Sequence, residues 1–215
     1  QNLLLTKSIF ERALHGIVLN DVNDQYQHDV IPNINYIGNE VLTIEPNPKR
    51  SVSIIECTFK DINSNYAIHI NSDNVSLYIT QCLFSNCTSK ESGVVNIGQC
   101  RCLTISHVCS SKSNLKEKTG GAFLFSKCFE NDFSIVLYNS VVDSNGLSEN
   151  SRALMPHSGN QYFRCNNVTG CNIGGFQFDA VQCFSFAMNT IVDCDICLHF
   201  SGNIETEKII ENCNL

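Results

Sequence analysis

Short runs in which apolar and polar positions alternate recur along this chain every two dozen or so residues. Each recurrence has a β-type run, a polar residue or two, a small residue or Cys, and two positions later an apolar anchor. Strong copies close on Phe10, Phe59, Phe84, Val142 and Leu215, and weaker ones put the anchor near Ile34, Ser110, Val168 and Val192. Successive anchors lie 23 to 32 residues apart. A period this short, filled with strand patterns and never with a helical one, predicts a solenoid.

A second strand pattern follows each anchor by eight to twelve residues. Its clearest copies are TyrAlaIleHisIle (66–70), GlyValValAsnIle (93–97), GlyGlyAlaPheLeuPhe (120–125), GlyGlyPheGlnPhe (174–178) and IleCysLeuHisPhe (196–200), with earlier ones at 15–19 and 40–44. A third short run precedes the next anchor, as in ValSerLeuTyrIle (75–79). Strands of this length alternate inward and outward, and hydrogen bonds from turn to turn leave no repeat stable alone. The expected fold is all-β: a right-handed, single-stranded parallel β-helix of about eight turns of ~25 residues, forming one domain over 1–215. Residues 5–10 match the repeat, so a strand is expected there in place of an amphipathic helix over 3–14. The chain starts and stops at one phase of the repeat, which reads as a slice of a longer array. Segments 111–119 and 148–160 interrupt the period and are expected to lengthen or bulge their turns.

Composition fits such a stack. Only 16% of residues are charged, while Asn (26 residues), Ser (22) and Phe (13) are abundant. Asn tolerates left-handed backbone, which predicts Asn-rich turns, and Gly before the second strand predicts a tight bend. A net charge of −7 disfavours nucleic acid, because phosphate binding needs a positive face. The local basic group of Lys112, Lys116, Lys118 and Lys127 reads as a solvated loop. No apolar run is long enough to span a membrane, so attachment would lie in segments outside this chain.

Thirteen cysteines sit mostly inside the repeated runs, where Cys acts as a small apolar filler. Cys57 and Cys82 share one repeat position, which Cys213 takes again. Neighbouring turns about 4.8 Å apart bring such a pair within disulfide range, so Cys57–Cys82 is either a bond or part of an unbonded cysteine stack. Asn74, Asn86 and Asn167 head N-x-Ser/Thr sequons and are glycosylation candidates if the chain is secreted.

No motif calls for a cofactor. Enzymes on β-helical rods need clustered carboxylates; Asp193 and Asp195, with Asp179 expected about one turn below, are the nearest to a pair but read as a solvated turn. Cys100, Cys102, His107 and Cys109 have zinc-ligating types, yet strand alternation would divide them between core and surface. Cys194 and Cys197 form a CysAspIleCys without the helix N-terminus that would activate a thiolate. The six His residues gather around no visible nucleophile.

PheSerAsnCys (84–87), GlyGlyAlaPhe (120–123) and the repeated phrase itself resemble the repeats of polymorphic membrane proteins, chlamydial autotransporter adhesins of pectin-lyase-like fold. Similar repeats occur on protist parasites such as trichomonads, toward which the Asn and Cys richness leans. GlyGlyAlaPhe occurs once, GlyGlyPheGln is a degenerate copy, and no Phe-x-x-Asn follows the anchors. The resemblance implies a non-enzymatic rod at the cell surface or outside the cell, adhesive or structural, with a host-cell or matrix protein or a glycan as partner. The alternatives are a subunit of an extracellular fibre or particle, self-associating end to end or laterally, and a carbohydrate-active lyase or hydrolase.

Overall fold

The computed structural model describes residues 2–6, 9–11, 17–20, 30–32, 35–37, 42–44, 50–64, 66–71, 75–90, 92–116, 120–146, 151–172, 174–202 and 208–215. Side chains are described from residue 51 onward, apart from 64 and 129–131. Among these residues there is no helix, and the strands form sheets of 15, 8 and 4 members. Pairing is parallel from turn to turn in all three sheets, so the chain is a parallel β-solenoid.

One turn shows how the sequence builds it. Val75–Thr80 alternates, with Val75, Leu77 and Ile79 buried and Tyr78 outside. Gln81 then bends the chain through a left-handed conformation (φ 55°), and Leu83–Ser85 places Phe84 in the core. A second left-handed residue, Asn86 (φ 52°), leads into Thr88–Ser89, and Val95–Ser106 starts the next face. Because Val95–Ser106 and Gly121–Leu137 run without a break from the second strand into the next turn's first strand, both strand types join in the largest sheet.

The bends form two columns. Glu56, Gln81, His107, Tyr138, Cys165, Met188 and Asn212 occupy the first, all with φ between 52° and 55°. A left-handed residue with a Cβ costs roughly 1–2 kcal/mol. Each bend recovers a hydrogen bond to the next turn: Gln81 N donates to Ser106 O, Tyr138 N to Arg164 O and Cys165 N to Ala187 O, at 3.1–3.2 Å. In the second column Asp61, Asn86, Lys112 and Asp143 do the same. The expectation of Asn-rich bends is therefore corrected: among the described residues, Asn86 and Asn212 alone represent Asn at positive φ. The ladder bond, which any residue's N–H supplies, fixes the bend, so side-chain preference is overridden.

Phe59, Phe84, Ser110, Val141, Val168 and Ile191 stack in register as the anchors. Two expected anchors shift by one residue. Val141 and Ile191 point inward, leaving Val192 39% exposed, because the outward slot next to the second bend falls on Val142 and Val192. Near the start, Phe10 pairs with Tyr36, and Ile34 lies outside the described residues. Ser110 holds its core place by a 2.6 Å hydroxyl–hydroxyl bond to Ser113. Ile191 lies 132 residues beyond Phe59, so the part stacked in chain order makes about five turns of about 26 residues, fewer than the eight expected.

The remaining turns differ in order. Asn2–Thr6 pairs on one edge with Arg50–Ile55 and on the other with Val30–Pro32. Turn 30–44 thus stacks outside turn 2–20, and not between it and turn 50–71. Asn2–Thr6 and Ile9–Glu11 are strands, as the repeat predicted.

Of the two irregular segments, residues 117–119 and 148–150 lie outside the described set. The turn between Ser110 and Val141 is five residues longer than the one before it, and two of those five fall between Leu124 and Phe133, beyond the expected loop. Most of 151–160 is no loop: Arg152–His157 is this turn's second strand, with Ala153 and Leu154 buried. Pro156 sits beside Ser126 within it.

Candidate binding face

Two buried columns explain what fills the position after each first bend. Its occupants are Cys57, Cys82, Val108, Asn139, Asn166, Asn189 and Cys213. Asn139 Nδ2 donates to Asn166 Oδ1, and Asn166 Nδ2 to Asn189 Oδ1, both at 2.9 Å. The same oxygens accept the N–H of Asn139 (3.2 Å) and of Asn166 (2.9 Å). The second amide hydrogens reach Ile105, Val136 and Phe163 carbonyls of the neighbouring turn. An internal amide ladder thus accounts for three of the asparagines, which are buried and not at positive-φ bends.

The cysteines of this slot play a weaker version of the same part. Cys57 and Cys82 are buried in successive turns, with Sγ 3.3 Å from the carbonyls of Ile55 and Thr80 two residues back, and contact with Cys57 pushes the Cys82 thiol up. Cys213 repeats this with Glu211. After the second bend, Cys87, Cys171 and Cys194 aim at Ser85, Thr169 and Val192 carbonyls. Burial pushes the Cys87 thiol up to about 12. Cys194 is lowered to about 7, chiefly by the hydrogen bond from the deeper Cys171, so its partner is Cys171 and not Cys197.

The remaining candidates are dispersed. Cys100 is in the core, Cys102 half-buried and Cys109 exposed, while His107 occupies a bend and stacks on Tyr138 at 5.2 Å. No group of three metal-ligating side chains occurs among the described residues. Asp193 is at a bend in the Asp143 column, and Asp195 is exposed beyond it. Asp179 is not one turn below them; it pairs in register with His157 and Ser201 on a different face. There it accepts from Ser201 Oγ (2.8 Å) and faces His157 Nε2 (3.1 Å), whose Nδ1 meets Ser158 Oγ at 2.7 Å. Sequence alone hid this cluster, because its members lie 22 residues apart on three successive turns, and His157 falls in the segment read as a bulge. Asn86 and Asn167 are exposed; Asn86 donates to Asp61 at 2.7 Å, and Thr169 of its own sequon donates to Asn167 at 3.1 Å. Asn74 lies outside the described residues.

The most distinctive outward surface is on the first strands of the central turns. In Phe133–Tyr138, Ser134 and Val136 point inward, and Phe133, Ile135, Leu137 and Tyr138 line the outside. Tyr162 stands beside Ile135, Tyr78 lies two rungs below it, and Met188 caps the bend two rungs above Tyr138. Tyr138 is 54% exposed, and Tyr78, Tyr162 and Met188 are each 42–43% exposed. With rungs about 4.8 Å apart, the patch extends over about 19 Å of the rod. Arg164 is the one charge among the outward residues of 102–107, 133–138 and 160–165. Alternation normally puts polar residues outside; on this rung Phe133, Ile135, Leu137 and Tyr138 stand there instead, between a rung with outward Thr104 and Ser106 and one with outward Asn160 and Arg164, and exposed apolar patches mark interaction sites.

The fold and this face define a parallel β-solenoid with an exposed aromatic lateral surface. No protein family, no curated protein and no solved structure matches the chain.

Proposed function

We propose that this chain is a non-enzymatic β-solenoid rod, displayed on a cell surface or outside the cell, that binds a partner through its lateral aromatic face. The observation that carries the reading is the all-apolar outer side of Phe133–Tyr138, continued by Tyr78, Tyr162 and Met188. Tyr, Met and Arg are enriched where protein interfaces are buried, and Tyr brings a large contact area with a polar tip. The flat strand ladder suits an extended contact, and its composition favours a protein of the host cell or matrix as partner, ahead of a glycan. The repeat phrase and GlyGlyAlaPhe (120–123) support a relation to polymorphic-membrane-protein-like surface proteins. Stacked rungs without a helix provide the rigid spacer that adhesion or surface structure requires.

A carbohydrate-active enzyme would need acids on adjacent turns around one groove. Asp143 and Asp193 share a column with Gly170 between them, and Asp179 stands on another face with His157 and Ser201.

The test is adhesion of the purified chain to host cells and to immobilised matrix proteins or glycans. Y138S/Y162S should lower binding at least tenfold with an unchanged unfolding midpoint, and binding should resist glycan removal. Equal binding by the variant would refute the face. Loss on glycan removal would replace the protein partner with a sugar.

A further inference from the structure

Six cysteines direct their sulfur at a main-chain carbonyl two residues back, in a slot that recurs after the bends. Cys100 and Cys128 do not belong to this set. They are register partners in adjacent turns, 28 residues apart, and their sulfurs face each other at 3.6 Å. Both are buried, with relative exposures of 0% and 2%. Cys100 Sγ meets Cys128 Sγ, and Cys128 adds only long approaches to Ser134 Oγ (3.8 Å) and Phe133 O (3.9 Å).

We propose that Cys100 and Cys128 form a disulfide that staples two successive turns of the solenoid. Parallel neighbours hold their Cα atoms about 4.8 Å apart, inside the window of roughly 4.4–6.8 Å that a disulfide spans. The sulfurs must close from 3.6 Å to about 2.05 Å. The ladder slips on both sides of Cys100, between Ile97 and Cys100 and between Cys100 and Cys102, so the backbone there is not held by continuous pairing and can yield. A bond at this point would pin the register where the unbroken strand Val95–Ser106 turns from one face to the next.

The oxidant class is a small-molecule disulfide such as glutathione disulfide. Cys128 thiolate attacks one glutathione sulfur and expels a glutathione thiolate. Cys100 thiolate then attacks the Cys128 sulfur of the mixed disulfide and expels the second. The two cysteine protons end on the two glutathiones released. Exchanging the roles of the two thiols leaves the balance the same. Because the folded pair is buried, closure occurs while the turns are assembling.

Trypsin isolates the two cysteines: peptide 91–101 contains only Cys100, and peptide 128–152 only Cys128. The full chain is produced by secretion and also by refolding in a glutathione redox buffer. Folded protein, identified by a cooperative thermal transition, is alkylated in denaturant and digested. The expected result is a linked 91–101/128–152 pair that disappears on reduction, and a higher unfolding temperature than that of the C100A/C128A variant. Recovery of both peptides alkylated from folded protein overturns the proposal. So does linkage of either cysteine elsewhere, or a 51–60/61–90 link (Cys57 with Cys82 or Cys87) in place of the predicted one.

Discussion

Replacing Asn166 by Ala removes the centre of the buried amide ladder. Asn166 is 2% exposed and uses its full hydrogen-bonding capacity. Nδ2 donates to Val136 O and Asn189 Oδ1, and Oδ1 accepts from Asn139 N and Nδ2. Truncation takes this partner from four buried groups; the Asn189 oxygen keeps the Asn166 N–H, which leaves the Asn139 N–H, one Asn139 amide hydrogen and the Val136 carbonyl to bear the cost. Each such group costs roughly 1–3 kcal/mol. A water entering the vacated space would repair part of the loss, so the low end applies, about 3 kcal/mol in total. With a urea slope of about 2–3 kcal/mol/M, the midpoint should fall by about 1 M. Asn167→Ala is the matched control, since Asn167 is the exposed neighbour with the same chemistry. Asn166→Cys should recover part of the loss, because Cys57, Cys82 and Cys213 occupy this slot and bond the carbonyl two residues back. Urea unfolding followed by circular dichroism reads all three. If Asn166→Ala unfolds at the same midpoint as Asn167→Ala, the ladder does not stabilise the fold and the reasoning fails.

Three further outcomes follow from the same structure. Phe84→Ala should destabilise by about 3–5 kcal/mol, since Phe84 is fully buried and stacks on Phe59 at 4.7 Å; thermal unfolding checks this, and a shift typical of surface variants would contradict the anchor column. Gly121→Ala should cost about 3 kcal/mol or more, because a Cβ there would run into the Leu124 carbonyl; normal yield and unchanged unfolding would count against this bend. Cys194 should react with iodoacetamide at a rate rising through about pH 7 as its thiolate forms, and Cys171→Ala should move that midpoint upward by removing the donated hydrogen bond; an unmoved midpoint would sink the pairing.

Much of the fold was legible because inward positions repeat with both strand and turn periods. Phe59 and Phe84 carry that signal in their identity, and GlyGlyAlaPhe marks a bend whose glycine cannot bear a Cβ. Val141 and Ile191 were harder: two β-branched residues stand side by side, and hydrophobicity alone does not say which one faces inward. The order of turns 2–20 and 30–44 was not legible, since either edge of a strand can accept a neighbour and the repeat is blind to which. The aromatic face is not legible in the sequence because outward Tyr78, Ile135 and Tyr162 come from three turns and meet only through the register. The amide ladder escaped for the same reason: one buried Asn per turn looks like a turn residue until the turns are stacked.

The ladders, the aromatic face and the cysteine pair all depend on the parallel turn-to-turn register. Scalar couplings transmitted through hydrogen bonds, measured by NMR on the deuterated chain, test it directly. Correlations are expected from the amides of Gln81, His107, Tyr138 and Cys165 to the carbonyls of Ser106, Leu137, Arg164 and Ala187. Correlations from these amides to local or antiparallel partners would contradict it.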